Sequence, residues 1–156
     1  SYWFTIPKDR LESLPFRREE LIDGLSGLAY SLHHLAAMLL MADVRDLDRC
    51  IGDKSGAWFV RHGRDGRRIV AAGADDAGPP KVDAFDPTLF IYDAYPGGIG
   101  FSDLLFAKHH ELLGRAQAAI AACPCRNGCP SCVGPTLEVG ATAKAAALAI
   151  LDLLRA

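Results

Sequence analysis

The chain has 156 residues, half of them hydrophobic and 23% charged, with a formal net charge of −2. One globular domain with its own core fits that length, since a chain of this size hides roughly two-thirds of its unfolded surface. The slightly acidic balance excludes a free-standing basic nucleic-acid binder, so any DNA contact has to come from a local patch or a neighbouring domain.

Residues 1–17, punctuated by Pro7 and Pro15, read as a lead-in segment from a longer parent chain, docked on sequence outside this one. The start, SYWFTIPKDR, has no initiator Met and no apolar signal core, and no apolar run in the chain reaches the ~18 residues of a membrane span. From residue 18 the periodicity is helical: Leu21, Leu25, Leu28, Leu32, Leu35 and Leu39 fall at steps of four and three. VRDLDRCIG (44–52) alternates and suits a strand. GAWFVRH and RRIVAAG flank GRDG, where Asp65-Gly66 signals a hairpin turn. Residues 74–87 are a loop by composition, and TLFIYDAY (88–95) is an aromatic, β-branched strand. PGGIG breaks it before a second long helix over 101–122, then a cysteine-rich stretch, a connector over 133–140 and an Ala-rich closing helix. The order predicts an α+β fold: an antiparallel sheet packed with three main helices and a four-cysteine zinc knuckle.

CPCRNGCPSC places Cys123, Cys125, Cys129 and Cys132 within ten residues. Four thiolates complete a tetrahedral Zn²⁺, which makes the site structural and leaves no open position for catalysis. Pro124, Pro130 and the Asn127-Gly128 turn ease the sharp folding that such a site needs. An iron–sulfur cluster is the rival, since four cysteines can also hold one. Disulfides fit poorly: C-x-C pairing strains the bridge, and an odd count of five cysteines with no signal peptide points to a reducing, cytoplasmic compartment. A redox C-x-x-C at Cys129 and Cys132 needs no second pair. Cys50, distant from the others, reads as a small buried hydrophobe.

PTLFIYDAYPGGIGFSDLLF, then a helix, then CPCRNGCPSCVGP, then GATAKAAALAIL, resembles the C-terminal DUF1998 domain, also called the MrfA zinc-binding (MZB) domain, of superfamily 2 DEAD/DEAH-box helicases. The resemblance is strongest over 86–156 and extends back to about residue 18 through LIDGLSGLAYSLHHLAAMLLMADVRDL. It implies that residues 18–156 form a zinc-binding accessory domain in which the four cysteines hold one Zn²⁺. It also implies a parent that moves 3′ to 5′ on single-stranded DNA with ATP and serves DNA repair, so that the helicase core is a partner. The chain itself has no G-x-x-x-x-G-K-[ST] loop and no DEAH-like acidic box, and GDKSG lacks the glycine-rich cradle before its Lys. Catalytic residues are therefore not expected in it. Lys144 matches a lysine of the family pattern and reads either as an exposed helix residue or as a donor to the thiolates.

The hairpin RHGRDGRR gathers Arg61, Arg64, Arg67 and Arg68, with Trp58 just before it. This is either a solvated turn or a ribbon for DNA phosphates with a ring that can stack on a base. Gly97, Gly98 and Gly100 let the chain turn sharply, with Asp93 as cap of that turn. His33 and His34, like His109 and His110, point about 100° apart on their helices and read as ordinary histidines. Two functions stand side by side: a zinc-braced part of a DNA motor that guides single-stranded DNA, and an interaction module that docks to its helicase core or another protein without touching DNA.

Overall fold

The computed structural model describes residues 1–53, 58–62, 68–72 and 86–156, with backbone alone at 53, 58–62 and 68–72. The fold is α+β. β1 (Tyr2–Thr5), β2 (Leu47–Asp53), β3 (Trp58–His62), β4 (Arg68–Ala72) and β5 (Pro87–Asp93) form one antiparallel sheet in the order β1-β5-β2-β3-β4. β5 lies inside the sheet, between β1 and β2, as its near-continuous apolar sequence requires. The register sets Phe4, Leu89 and Ile51 in one row and Tyr2, Ile91 and Arg49 in the next. Leu89, Ile91 and Ile51 are fully buried. β3 and β4 pair as the hairpin reading expects, while the turn between them, with Asp65 and Gly66, lies outside the described residues.

The helices are α1 (Lys8–Glu12), α2 (Arg18–Leu40), α3 (Phe101–Ala107), α4 (His109–Ala122), α5 (Thr136–Val139) and α6 (Ala143–Arg155). α2 starts where the Glu20 carboxylate accepts the Arg17 amide at 2.8 Å. It ends at Met41, whose φ of 53° is left-handed, and there the Ala42 amide reaches back to the Ala37 carbonyl at 2.9 Å. The predicted stripe Leu21, Leu25, Leu28 and Leu32 is fully buried, and Leu35 and Leu39 are half-buried. α6 lies close across α2, and the small residues Gly24, Gly27, Ala143, Ala146 and Ala147 form the crossing. α4 packs against both helices through Leu112, Leu113, Ala116 and Ile120.

Four elements differ from the sequence reading. The long helix over 101–122 is two helices broken at Lys108, because α3 packs on β1 and β5 whereas α4 packs on α2 and α6. The connector after the cysteines contains the single turn α5. A 3₁₀ turn, Val44–Asp46, precedes β2 and is capped by the Asp43 carboxylate, which accepts the Arg45 amide at 2.9 Å. Residues 1–17 belong to this core: β1 is a sheet edge on β5, Tyr2, Ile6 and Leu11 are buried, and Arg10 donates to the Leu153 carbonyl of α6 at 3.0 Å. Among the described residues, no helix is long and apolar enough to cross a membrane.

Candidate metal centre

α4 runs out at Cys123, whose extended backbone (φ −69°, ψ 128°) turns the chain away from the helix axis. Gly128 takes φ +131°, and a Cβ there would lie 2.7 Å from Val133 Cγ2, so the Asn127-Gly128 turn folds flat onto the buried Val133. The Cys132 and Gly134 amides both donate to the Cys129 carbonyl at 3.0 Å, which closes the second half of the loop. This double reversal brings four sulfurs from ten residues together.

The Sγ separations are 3.5 Å for Cys123–Cys129, 3.5 Å for Cys125–Cys132 and 3.8 Å for Cys129–Cys132, and all four lie within 4.8 Å of one another. A disulfide needs about 2.05 Å, so these are free thiols. Four sulfurs about 2.3 Å from a tetrahedral ion stand ~3.7 Å from each other. The cysteines are therefore positioned to bind a metal ion. Cys132 is buried and the other three are half-buried, so the site is wet on one side and anchored in the core on the other. The Ser131 amide donating to Cys129 holds that thiol down, whereas burial pushes the Cys132 thiol up.

Lys144, in the first turn of α6, reaches back over the loop. Its Nζ donates to the Cys123 and Cys125 carbonyls, both at 2.6 Å, and lies 3.6 Å from Cys125 Sγ. The ammonium thus fastens the loop to α6 and sets a positive charge beside the thiol cluster.

Three residues absent from the sequence reading form a linked set that reaches the loop through Tyr30. The Tyr30 hydroxyl donates to the Pro130 carbonyl at 3.0 Å. Arg49 lies with its guanidinium carbon 5.2 Å from the Tyr30 ring centroid and pairs with Glu138 of α5 at 3.0 Å. No local pattern marks them, because they come from α2, β2 and α5.

His33, His34 and His109 take structural places. His33 is buried, donates from Nε2 to the Val44 and Leu47 carbonyls at 3.0 and 2.9 Å, and accepts from Arg49 Nη1 at Nδ1, 2.8 Å away. His34 Nδ1 donates to the Tyr30 carbonyl at 2.9 Å, and His109 Nδ1 accepts the Tyr2 hydroxyl at 2.5 Å. Asp93 caps the glycine turn through the Ile99 amide at 3.0 Å. Cys50 is half-buried on β2, opposite Phe90. Arg64 and Arg67 lie outside the described residues, as do the side chains of Trp58, Arg61 and Arg68.

A small α+β domain that closes a four-cysteine metal knuckle between two core helices is the class defined by this fold and site. The family described as the MrfA Zn-binding domain (MZB) matches residues 28–133, and the chain belongs to it. The chain is 46% identical over 66 residues to the ATP-dependent helicase YprA of Bacillus subtilis, which covers 42% of this chain and 9% of that protein. It is 35% identical over 48 residues to the Methanocaldococcus jannaschii protein MJ1572.1, covering 31% of this chain and 43% of that one. A solved structure described as the DUF1998 helicase MrfA bound to DNA covers 96% of this chain and 15% of its own, with 29% identity and a TM-score of 0.55. A second, with DNA and AMPPNP, covers 97% and 15%, at 26% identity and a TM-score of 0.52. The chain thus spans a small part of these helicases.

Proposed function

We propose that this domain is the zinc-braced accessory unit of an ATP-dependent 3′–5′ DNA helicase of DNA repair, working in the cytoplasm against the motor of its parent chain. The observation that carries the reading is the clustering of the Cys123, Cys125, Cys129 and Cys132 sulfurs within 4.8 Å of one another, at separations that suit one tetrahedral ion. That spacing favours a single Zn²⁺ over an iron–sulfur cluster, which would spread the sulfurs over separate irons. The ion supplies a cross-link, and the residues do the rest. Cys123 holds the end of α4, Lys144 holds the start of α6, and Cys132 with Val133 inserts the loop into the core. In this reading the ATP-driven step belongs to the motor.

In this reading the hairpin residues Arg61, Arg64, Arg67 and Arg68, with Trp58, contact single-stranded DNA leaving the motor. The support is the family membership and the fold likeness to a helicase solved with DNA. The test is fluorescence anisotropy of labelled single-stranded DNA at two salt concentrations, with metal content measured on the same sample. One zinc per chain, with salt-sensitive binding that weakens when Arg64, Arg67 and Arg68 are neutralised, is the expected result. Zinc at one per chain with no DNA binding at low salt would turn the reading to its rival, a docking module for the helicase core. The exposed rings of Trp3 and Phe106 and the exposed Met38 and Met41 favour that rival.

A further inference from the structure

The metal loop is gripped from outside its own sequence. Tyr30, on the central turn of α2, touches it twice. Its hydroxyl donates to the Pro130 carbonyl at 3.0 Å, inside the Cys129–Cys132 segment. Its ring lies against Gly134, where an added Cβ would stand 2.9 to 3.2 Å from three ring carbons and where φ is +97°. The opposite anchor is Arg49 of β2. One arm of its guanidinium reaches Glu138 at 3.0 Å, four residues beyond Gly134, and the other reaches His33 at 2.8 Å. The guanidinium also stands 5.2 Å from the Tyr30 ring centroid, and His34 packs its ring 4.2 Å from the same centroid.

We propose that Tyr30, clamped by Arg49, is a positioning residue for the metal loop, so that the affinity of the four cysteines for their ion is set from the α2–β2 junction. This rests on the metal-binding reading above. Burial of the Arg49 side chain, which is 9% exposed and leaves its Nε without a partner, supports it. A buried ion pair adds little stability over apolar residues of the same volume. What Arg49 supplies that a Met would not is direction. It fixes the plane on which Tyr30 rests and the distance from β2 to α5. Pro130, Gly134 and Glu138 are thereby held at three points, and Cys129 and Cys132 lie on or beside that stretch. With the loop held, the ligands meet the ion with less ordering left to do, which is how residues beyond the ligands raise metal affinity.

The experiment compares wild type with Tyr30→Phe, Arg49→Met, Arg49→Lys and, as a control at an exposed pair with Glu111, Arg115→Ala. Zn²⁺ affinity is read by competition with a chromophoric chelator, the ligand field by Co²⁺ absorption, and the fold by the melting temperature of the metal-free chain. Tyr30→Phe keeps the ring and loses the hydroxyl. It should weaken Zn²⁺ about ten-fold, within the range known for partners of metal ligands. Arg49→Met should do the same, Arg49→Lys should recover part of the loss, and Arg115→Ala should match wild type. Unchanged Zn²⁺ affinity and an unchanged Co²⁺ spectrum in Tyr30→Phe and Arg49→Met overturn the proposal, whatever their melting temperatures do. If Arg49→Met does not fold, Tyr30→Phe decides. If wild type itself takes up neither ion, the metal reading falls and carries this one with it, and wild type alone reveals that outcome.

Discussion

Gly24 of α2 faces Ala146 of α6 so closely that a Cβ added at Gly24 would lie 2.5 Å from the Ala146 Cβ and 2.9 Å from its carbonyl carbon. The obstacle is backbone as well as side chain, so the two helices must separate to admit a methyl group. Gly24→Ala gains helix propensity of about 1 kcal/mol but overpacks a buried crossing, which typically costs about 1–3 kcal/mol and more where backbone must shift. The expected net effect is a destabilisation of about 1–2 kcal/mol, or roughly 2–8 °C in melting temperature for a chain of this size. Thermal unfolding followed by circular dichroism checks it. An equal or higher melting point would show that the crossing is looser than its geometry.

Much of this arrangement is legible in the residues. The Leu21–Leu25–Leu28–Leu32 spacing alone marks the buried face of α2, because helical burial repeats locally. The cysteines announce a knuckle because chelation by a short loop needs ligands close in sequence. The break at Lys108 is not legible: the apolar pattern continues through it, and the chain bends only because α3 and α4 answer to different partners. Tyr2–Thr5 gives no sign that it pairs with β5, some 85 residues further along the chain. Tyr30, Arg49 and Glu138 lie far apart in sequence, and each alone reads as a surface or core residue. Only the fold makes them a set.

Metal removal should act locally first. Cys132 and Val133 are buried, and a Cβ at Gly27 would meet Val133 at 3.0 Å and Ala143 at 3.1 Å, so the loop is wedged into the α2–α6 crossing. An ion present at about a thousand times its dissociation constant stabilises the fold by about 4 kcal/mol. Chelation, or Cys129→Ser, is therefore expected to lower the melting temperature by roughly 8–16 °C. Hydrogen exchange should rise over residues 123–140 and the first turn of α6 before it rises in β2 and β5. Exchange that rises evenly across the chain would mean that the loop and the sheet unfold as one unit.

Lys144 offers a separate handle on the same site. Four thiolates around a divalent cation carry two more negative charges than positive, and the ammonium 3.6 Å from Cys125 Sγ offsets one of them. Its bonds to the Cys123 and Cys125 carbonyls also hold the first half of the loop. Lys144→Met keeps the aliphatic stem and should weaken Zn²⁺ about ten-fold or more. Lys144→Arg keeps the charge with a different reach and should fall between. A chelator competition curve for Lys144→Met that overlays wild type would assign the lysine to packing alone.

Acid should weaken the fold through His33. Burial, and then the Arg49 charge, hold the His33 pKa below its ordinary value. The hydrogen bonds agree: Nε2 donates to two carbonyls and Nδ1 accepts from Arg49, so a second proton has no place to go. Also near it are His34 on its own helix, Arg45 and Asp48, which line the same cavity, and Glu138 of α5, which pairs with Arg49. In the unfolded chain His33 titrates near ~6.5. The unfolded state thus binds the extra proton first, and stability present above about pH 6.5 is lost as the pH falls toward the depressed folded value. His109, also lowered by burial and by His110, adds to the loss over the same range. His33→Gln keeps a donor for the carbonyls and cannot take up a proton. It should cost about 1–3 kcal/mol at neutral pH through imperfect hydrogen bonds and flatten the decline from about pH 7 to about pH 5. Urea unfolding midpoints across that range, for both proteins without metal, test it: parallel curves would show that His33 does not carry the acid sensitivity.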